Sequence, residues 1–140
     1  MSNQVKELYG LHYERCAIDA VAAATASTTF PVFVAPFPCL VKSVGLTAGA
    51  TITGVADTRH MNVINKGSAG AGATELGTKD YVSGTDAVAN DRVSVYSSTT
   101  GTAMAEGDVL AVQSEKIGSG QAMPPFLVDI SFSPNQSVSQ

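Results

Sequence analysis

The chain has 140 residues, enough for one domain with a hydrophobic core that needs no disulfides or metal ions. A net charge of −4 without any cluster of Lys or Arg argues against nucleic acid or an acidic membrane as a partner. No apolar run is long enough to cross a bilayer, and the first seven residues lack the apolar stretch of a signal peptide. We therefore expect a protein that stays in the cytoplasm where it is made.

Charged residues make up only 14% of the chain, against about 25% in an average soluble domain. Two interpretations remain open. The weakly hydrated surface suits burial against other subunits, or small alanines and glycines simply dilute the charges.

The N-terminal part contains an arm and one ambiguous segment. Residues 1–12 are polar and show no periodic pattern, so we interpret them as an arm. In the next segment, Tyr13–Ala26, apolar and polar side chains first alternate as in a strand, and the alanine run that follows also suits a helix. We favour a strand because the rest of the chain is strand-like.

Two strands are predicted on either side of Pro36-Phe37-Pro38, namely Thr29–Ala35 and Cys39–Thr47. Pro31 has no backbone N–H, so the first strand should lie at a sheet edge or begin there. In the second strand, alternation predicts that one face carries Leu40, Lys42, Val44 and Leu46.

The middle of the chain has weaker patterns. Thr51–Val55 is a candidate short strand, and Arg59–Asn65 alternates, with Met61 and Val63 facing opposite to His60, Asn62 and Ile64. Glycines and small residues predict a loop over Lys66–Thr78. Short strands follow at Lys79–Val82 and at Arg92–Ser97, where Val93 and Val95 should face inward. The small polar stretch Ser98–Gly107 is predicted as a connection that ends in a turn.

The clearest strands lie near the C-terminus. Asp108–Lys116 places Leu110 and Val112 on one face, and Ile117–Pro125 is a Gly- and Pro-containing connection. Phe126–Phe132 then shows strict period two, with Phe126, Val128, Ile130 and Phe132 opposite to Leu127, Asp129 and Ser131. Residues 133–140 form a polar tail.

About eight short strands at regular spacing, without a long helix pattern, predict an all-β fold. Eight antiparallel strands suit a jelly-roll-like β-sandwich, here with flexible termini. The predicted organisation is an arm over 1–12, the sandwich over 13–132 and a polar tail over 133–140.

The side chains that carry chemistry form no motif for a metal site or an activated nucleophile. Ordinary structural or surface roles explain the two histidines and two loop carboxylates, His12, His60, Asp57 and Asp91. Cys16 and Cys39 have apolar neighbours and are interpreted as free buried thiols, and no spacing supports a Cys39–His60 pair. We predict no catalytic residue, no cofactor and no metal ion.

Several stretches resemble small head proteins of tailed phages. Phe30–Val44 resembles a recurring strand-turn-strand of these proteins, and Met61–Gly67 resembles their central strand with its glycine exit. Their C-terminal hairpin is similar to Ala105–Val112, Lys116–Gly120 and Pro124–Ile130. Together these stretches span roughly residues 29–132, and the family they resemble is the capsid decoration or cement proteins.

The resemblance implies a jelly roll on the outer surface of the virion capsid, made in the host bacterial cytoplasm. Such proteins staple neighbouring major capsid subunits and assemble as dimers or trimers at symmetry axes; a homo-oligomer is expected here, with a dimer favoured. The N-terminal arm supplies apolar candidates for capsid or self contact, which we favour over the alternative of a frayed terminus. These candidates are Val5, Leu8, Tyr9, Leu11 and Tyr13.

Two other functions compete with this prediction. Jelly rolls also host sugar-binding sites, so a carbohydrate-binding module of a phage surface or fibre protein is the alternative, although the chain has no Trp and only 6% aromatics. A hydrolase would need an acid pair or a nucleophile set, and the sequence shows neither.

Overall fold

The computed structural model describes residues 10–135, apart from the side chains of residues 85 and 86. Within this range the chain forms ten strands and no helix, and so no helix that could span a membrane. The strands are β1 His12–Ile18, β2 Thr28–Val34, β3 Cys39–Ala48, β4 Ile52–Gly54, β5 Arg59–Gly67, β6 Thr74–Asp80, β7 Gly84–Ala87, β8 Arg92–Met104, β9 Val109–Lys116 and β10 Phe126–Pro134.

Two four-stranded antiparallel sheets face each other. Sheet 1 has the order β1-β10-β3-β8 and sheet 2 the order β2-β9-β5-β6, while β4 and β7 pair only with each other. Without β4 and β7, the first strand pairs with the eighth, the second with the seventh, the third with the sixth and the fourth with the fifth. This folded-back hairpin, wound around a core, is the jelly roll, and the predicted all-β sandwich is confirmed.

The core lies between the two sheets. Each strand that is covered on one face contributes alternate side chains to it, and burial of each large apolar side chain stabilises the fold by roughly 1.5–3 kcal/mol. The period-two prediction for the last strand is confirmed, since β10 buries Phe126, Val128, Ile130 and Phe132. Leu110 and Val112 of β9 are buried as predicted, and Val95 of β8 packs on the core.

The structure also decides the two open points near the N-terminus. β1 is a strand that ends at Ile18, and Val21 then forms an isolated bridge with Met123, so the helical alternative for Tyr13–Ala26 is wrong. β2, which contains Pro31, is an edge strand of sheet 2, as the missing N–H of proline predicts.

The face prediction for β3 is wrong in its first half. Leu40 and Lys42 do not share the buried face of Val44 and Leu46; instead Cys39 and Val41 are buried before them. The pairing with β8 shifts register between Val41 and Ser43, and the pairing with β10 shifts between Ser131 and Phe132. An extra residue at a bulge reverses the alternation of faces.

Two predicted loops are largely strand. β5 continues to Gly67 and β6 begins at Thr74, so only residues 68–73 connect them, and the loop prediction for Lys66–Thr78 is too long. Residues 98–104 belong to β8, and the last three of them pair with β3, for example Ala103 with Leu40. The small polar side chains there carry no periodic signal. β7 had no counterpart in the sequence prediction.

The C-terminal hairpin that the resemblance implies is wrong, because β9 belongs to sheet 2 and β10 to sheet 1. β2 and β3, the strands of the resembling strand-turn-strand, likewise lie in opposite sheets. The connection over 117–125 is longer than the two to five residues of an ordinary hairpin loop. It therefore crosses the end of the sandwich.

The domain boundaries differ slightly from the predicted ones. β1 begins at His12, which therefore belongs to the sandwich and not to the arm, and β10 extends to Pro134. Most of the predicted arm over 1–12 and of the predicted tail over 133–140, namely residues 1–9 and 136–140, lies outside the described residues.

Candidate functional site

A cleft of about 380 Å³ opens on the outer face of sheet 1. Side chains from all four strands of the sheet line it, and we call it the outer cleft. The lining residues are Tyr13, Glu14, Arg15, Ser43, Thr47, Arg92, Leu127 and Asp129.

Strand register brings these distant residues together in three rows. The first row holds Tyr13, Ser131 and Ser43. The second row holds Arg15, Asp129 and Gly45, and the third holds Leu127, Thr47 and Arg92. Because alternate residues of a strand face the same side, the cleft collects the outward positions of neighbouring strands.

A bidentate ion pair fixes the floor of the outer cleft. Arg92 donates from Nε to Asp129 Oδ2 over 2.9 Å and from Nη2 to Asp129 Oδ1 over 2.8 Å. These hydrogen bonds raise the pKa of Arg92. The guanidinium lies against the backbone of Gly45, where a Cβ atom would stand 2.3 Å from Nε. Glycine at this position therefore lets the arginine lie flat on β3.

Arg15 is left without a partner beside this pair. It stands in register with Asp129, but Arg92 occupies both carboxylate oxygens. Among the described residues, Arg15, Glu14 and Arg92 Nη1 make no hydrogen bond or ion pair. Arg15, Arg92 and Asp129 thus share the outward face at the cleft, whereas Glu14 pairs with the buried Ile130 and has the opposite strand parity.

Of the five predicted contact residues, Leu11 and Tyr13 fall within the described part of the chain. Leu11 is 50% exposed just before β1, and Tyr13 is 64% exposed on β1 at the outer cleft. Val5, Leu8 and Tyr9 lie outside the described residues.

The two histidines lie in different surroundings. His12 stacks on Phe132 at a centroid distance of 5.3 Å and meets Phe37 edge-on, so its role is packing. His60 lies on the outer face of sheet 2, with Nδ1 3.5 Å from both Asp80 Oδ1 and Glu115 Oε1. This separation exceeds that of a good hydrogen bond.

The structure does not bring Cys39 and His60 together, since Cys39 faces the core from sheet 1. Burial, with a smaller contribution from Asp108, raises the pKa of the Cys39 thiol to about 11. The thiol therefore stays protonated and unreactive near neutral pH. Cys16 is also free, but it is only half-buried, so the prediction of two buried thiols holds for Cys39 alone.

Arg59 is a buried cation that the sequence prediction missed. Its guanidinium donates to the carbonyl oxygens of Gln121 (3.0 Å), Ser114 (3.2 Å) and Ala22 (3.0 Å), and to that of Thr25. Burial lowers its pKa. Arg59 has the same strand parity as the buried Met61 and Val63, and that parity was the available signal.

Within residues 10–135, no group of three or more His, Cys, Asp or Glu side chains is arranged to hold a metal ion. The chain matches no family model, no curated protein and no solved structure.

Proposed function

We propose that this protein is a non-catalytic structural protein that decorates the outer surface of a tailed-phage head. It staples neighbouring major capsid subunits, and its copies associate into a homo-oligomer, with a dimer favoured over a trimer. The stretches that resemble cement proteins contribute to the edge strand β2 and to β3, β5, β9 and β10, which are the inner strands of the two sheets.

The observation that carries the proposal is the exposed start of the edge strand β1. Leu11 is half exposed there, and it continues the apolar series Val5, Leu8 and Tyr9 of the preceding segment. Apolar surface removed from water on docking contributes about 25 cal/mol per Å². We assign the capsid contact to Leu11 and to this segment.

β1 also has the most regular pairing of the four edge strands. Its seven residues pair with β10 without a register shift, whereas the pairings of β2, β6 and β8 each contain at least one. Pro31 further protects β2. A second chain that adds a strand to the sandwich would therefore meet the least obstruction at β1.

Low charge and repetition fit the stapling role. With 14% charged residues, docking removes few ions from water. A head presents many identical sites, so an oligomer that engages several of them gains strength from modest single contacts.

The test uses phage heads that lack this protein and the purified full-length chain. We expect stoichiometric co-sedimentation and greater resistance of the heads to heat. Leu11→Ser should weaken binding, whereas Val34→Ser, at an exposed valine on the edge strand β2, should bind like the wild type. The proposal fails if the wild type does not bind, or if heads with and without it resist heat equally.

A further inference from the structure

We propose that the outer cleft binds a neutral carbohydrate, with the Tyr13 ring as the stacking surface and Arg15, Arg92 and Asp129 as hydrogen-bonding groups. This binding function goes beyond decoration of a capsid. It is tested on the free protein and does not depend on the proposed capsid contact.

The small net charge of the outer cleft favours a neutral ligand. Asp129 neutralises Arg92, which leaves the Arg15 guanidinium as the one uncompensated charge among the outward-facing lining residues. A phosphate would meet the Asp129 carboxylate, and a metal ion would meet the two guanidinium groups. A sugar hydroxyl both donates and accepts hydrogen bonds, so it can use donors and acceptors that lie side by side.

The cleft also has unused hydrogen-bonding capacity. The Arg15 guanidinium and Arg92 Nη1 have no partner within the described part of the chain. These groups provide several donors that a polyhydroxylated ring can engage together.

Apolar side chains lie on both sides of the second row, which holds Arg15 and Asp129. Tyr13 lies in the first row and Leu127 in the third, with 64% and 42% of their surfaces exposed, and Arg15 and Asp129 lie between them. A sugar ring has the same division, because its C–H groups form apolar patches and its hydroxyls lie at the edge. An aromatic side chain combines large apolar area with little conformational freedom to lose on binding.

Several polar side chains of the outer cleft are held in place before any ligand binds. Arg92 is clamped to Asp129 and lies against Gly45, and the Ser43 and Ser131 hydroxyls are hydrogen-bonded at 2.5 Å. Fixed groups lose little freedom on binding, which favours affinity. The volume of about 380 Å³ lies within the ordinary range of ligand pockets.

The experiment titrates the full-length protein, labelled with ¹⁵N, with methyl glycosides of glucose, galactose, mannose and N-acetylglucosamine. We expect at least one glycoside to shift backbone amides around the outer cleft at millimolar concentration. Tyr13→Ala should weaken this binding by about tenfold, the equivalent of one lost aromatic contact. Tyr13→Phe should retain it, and Asp129→Asn should weaken it.

Val34→Ala is the matched control, since it removes an exposed apolar side chain from the other sheet and should bind like the wild type. Thermal unfolding checks that each variant is folded. Four results would overturn the proposal: no shifts with any glycoside, shifts away from the cleft, full binding by Tyr13→Ala, or stronger cleft shifts with inorganic phosphate or acetate. Self-association that buries the cleft without sugar would also overturn it. Tyr13→Ala should still bind heads, so failure here is separate from failure of the capsid proposal.

Discussion

The outer faces of the two sheets use their polar side chains differently. On sheet 2, Asn62 donates to Gln113 Oε1 (3.2 Å) and Glu115 Oε1 (3.1 Å) and accepts from Thr78, so these groups satisfy one another. On sheet 1, Arg15 at the outer cleft makes no hydrogen bond or ion pair with another residue in the described range 10–135. A polar surface whose hydrogen bonds are already internal has little to offer a ligand, so polarity alone does not mark a binding face.

The largest effect on stability is expected in the core, on which both sheets depend. Ile130→Asp places a charge without a partner between the sheets and should cost more than about 4 kcal/mol, enough to unfold the domain. Leu127→Asp is the matched control, because Leu127 lies on the same strand and faces the cleft. It should remain folded, as circular dichroism during urea unfolding will show. Equal stability of the two variants would contradict the assigned faces of β10.

A second effect on stability concerns Arg59, the buried cation that contacts two connections between the sheets. Arg59 lies on β5 of sheet 2, and it binds the connection from β1 to β2 through Ala22 and the connection from β9 to β10 through Gln121. Both connections cross between the sheets. Arg59→Met should leave buried carbonyl groups without donors and cost about 3 kcal/mol. Urea unfolding measures the loss.

The control for Arg59→Met is Arg15→Met, which removes an unpaired arginine at the surface and should change stability by less than about 0.5 kcal/mol. Arg59→Lys should lie between them, because lysine has three donors where arginine has five. Hydrogen exchange should speed up first at the amides of Val21 and Met123, which pair across the two connections. If Arg59→Met is as stable as the wild type, water replaces the guanidinium and Arg59 does not stabilise the two connections.

The strands with strict alternation were predictable because one face of each is buried, as in β10 and β9. The buried face of β3 was not predictable, because the bulge near Lys42 depends on how β3 pairs with its neighbours β8 and β10. The outer cleft needs the sheet order as well. Tyr13, Ser43, Arg92 and Asp129 are far apart in sequence, and only the jelly-roll pairing makes them neighbours. Among the predicted contact residues, Tyr13 belongs to this cleft.

The smallest effects test the contrast between the two faces directly. Asn62→Ala should cost about 2 kcal/mol, because it removes the three hydrogen bonds of a nearly buried side chain, and it should not alter glycoside binding. Arg92→Gln should cost less than about 1 kcal/mol of stability, since the Arg92–Asp129 ion pair is partly exposed. Arg15, which is in register with Asp129, can also replace Arg92 as the partner of that carboxylate. Arg92→Gln should nevertheless weaken glycoside binding. Urea unfolding and the same amide titration measure both variants. If Arg92→Gln loses as much stability as Asn62→Ala and keeps its binding, the ion pair of sheet 1 is structural, and the two faces do not differ in kind.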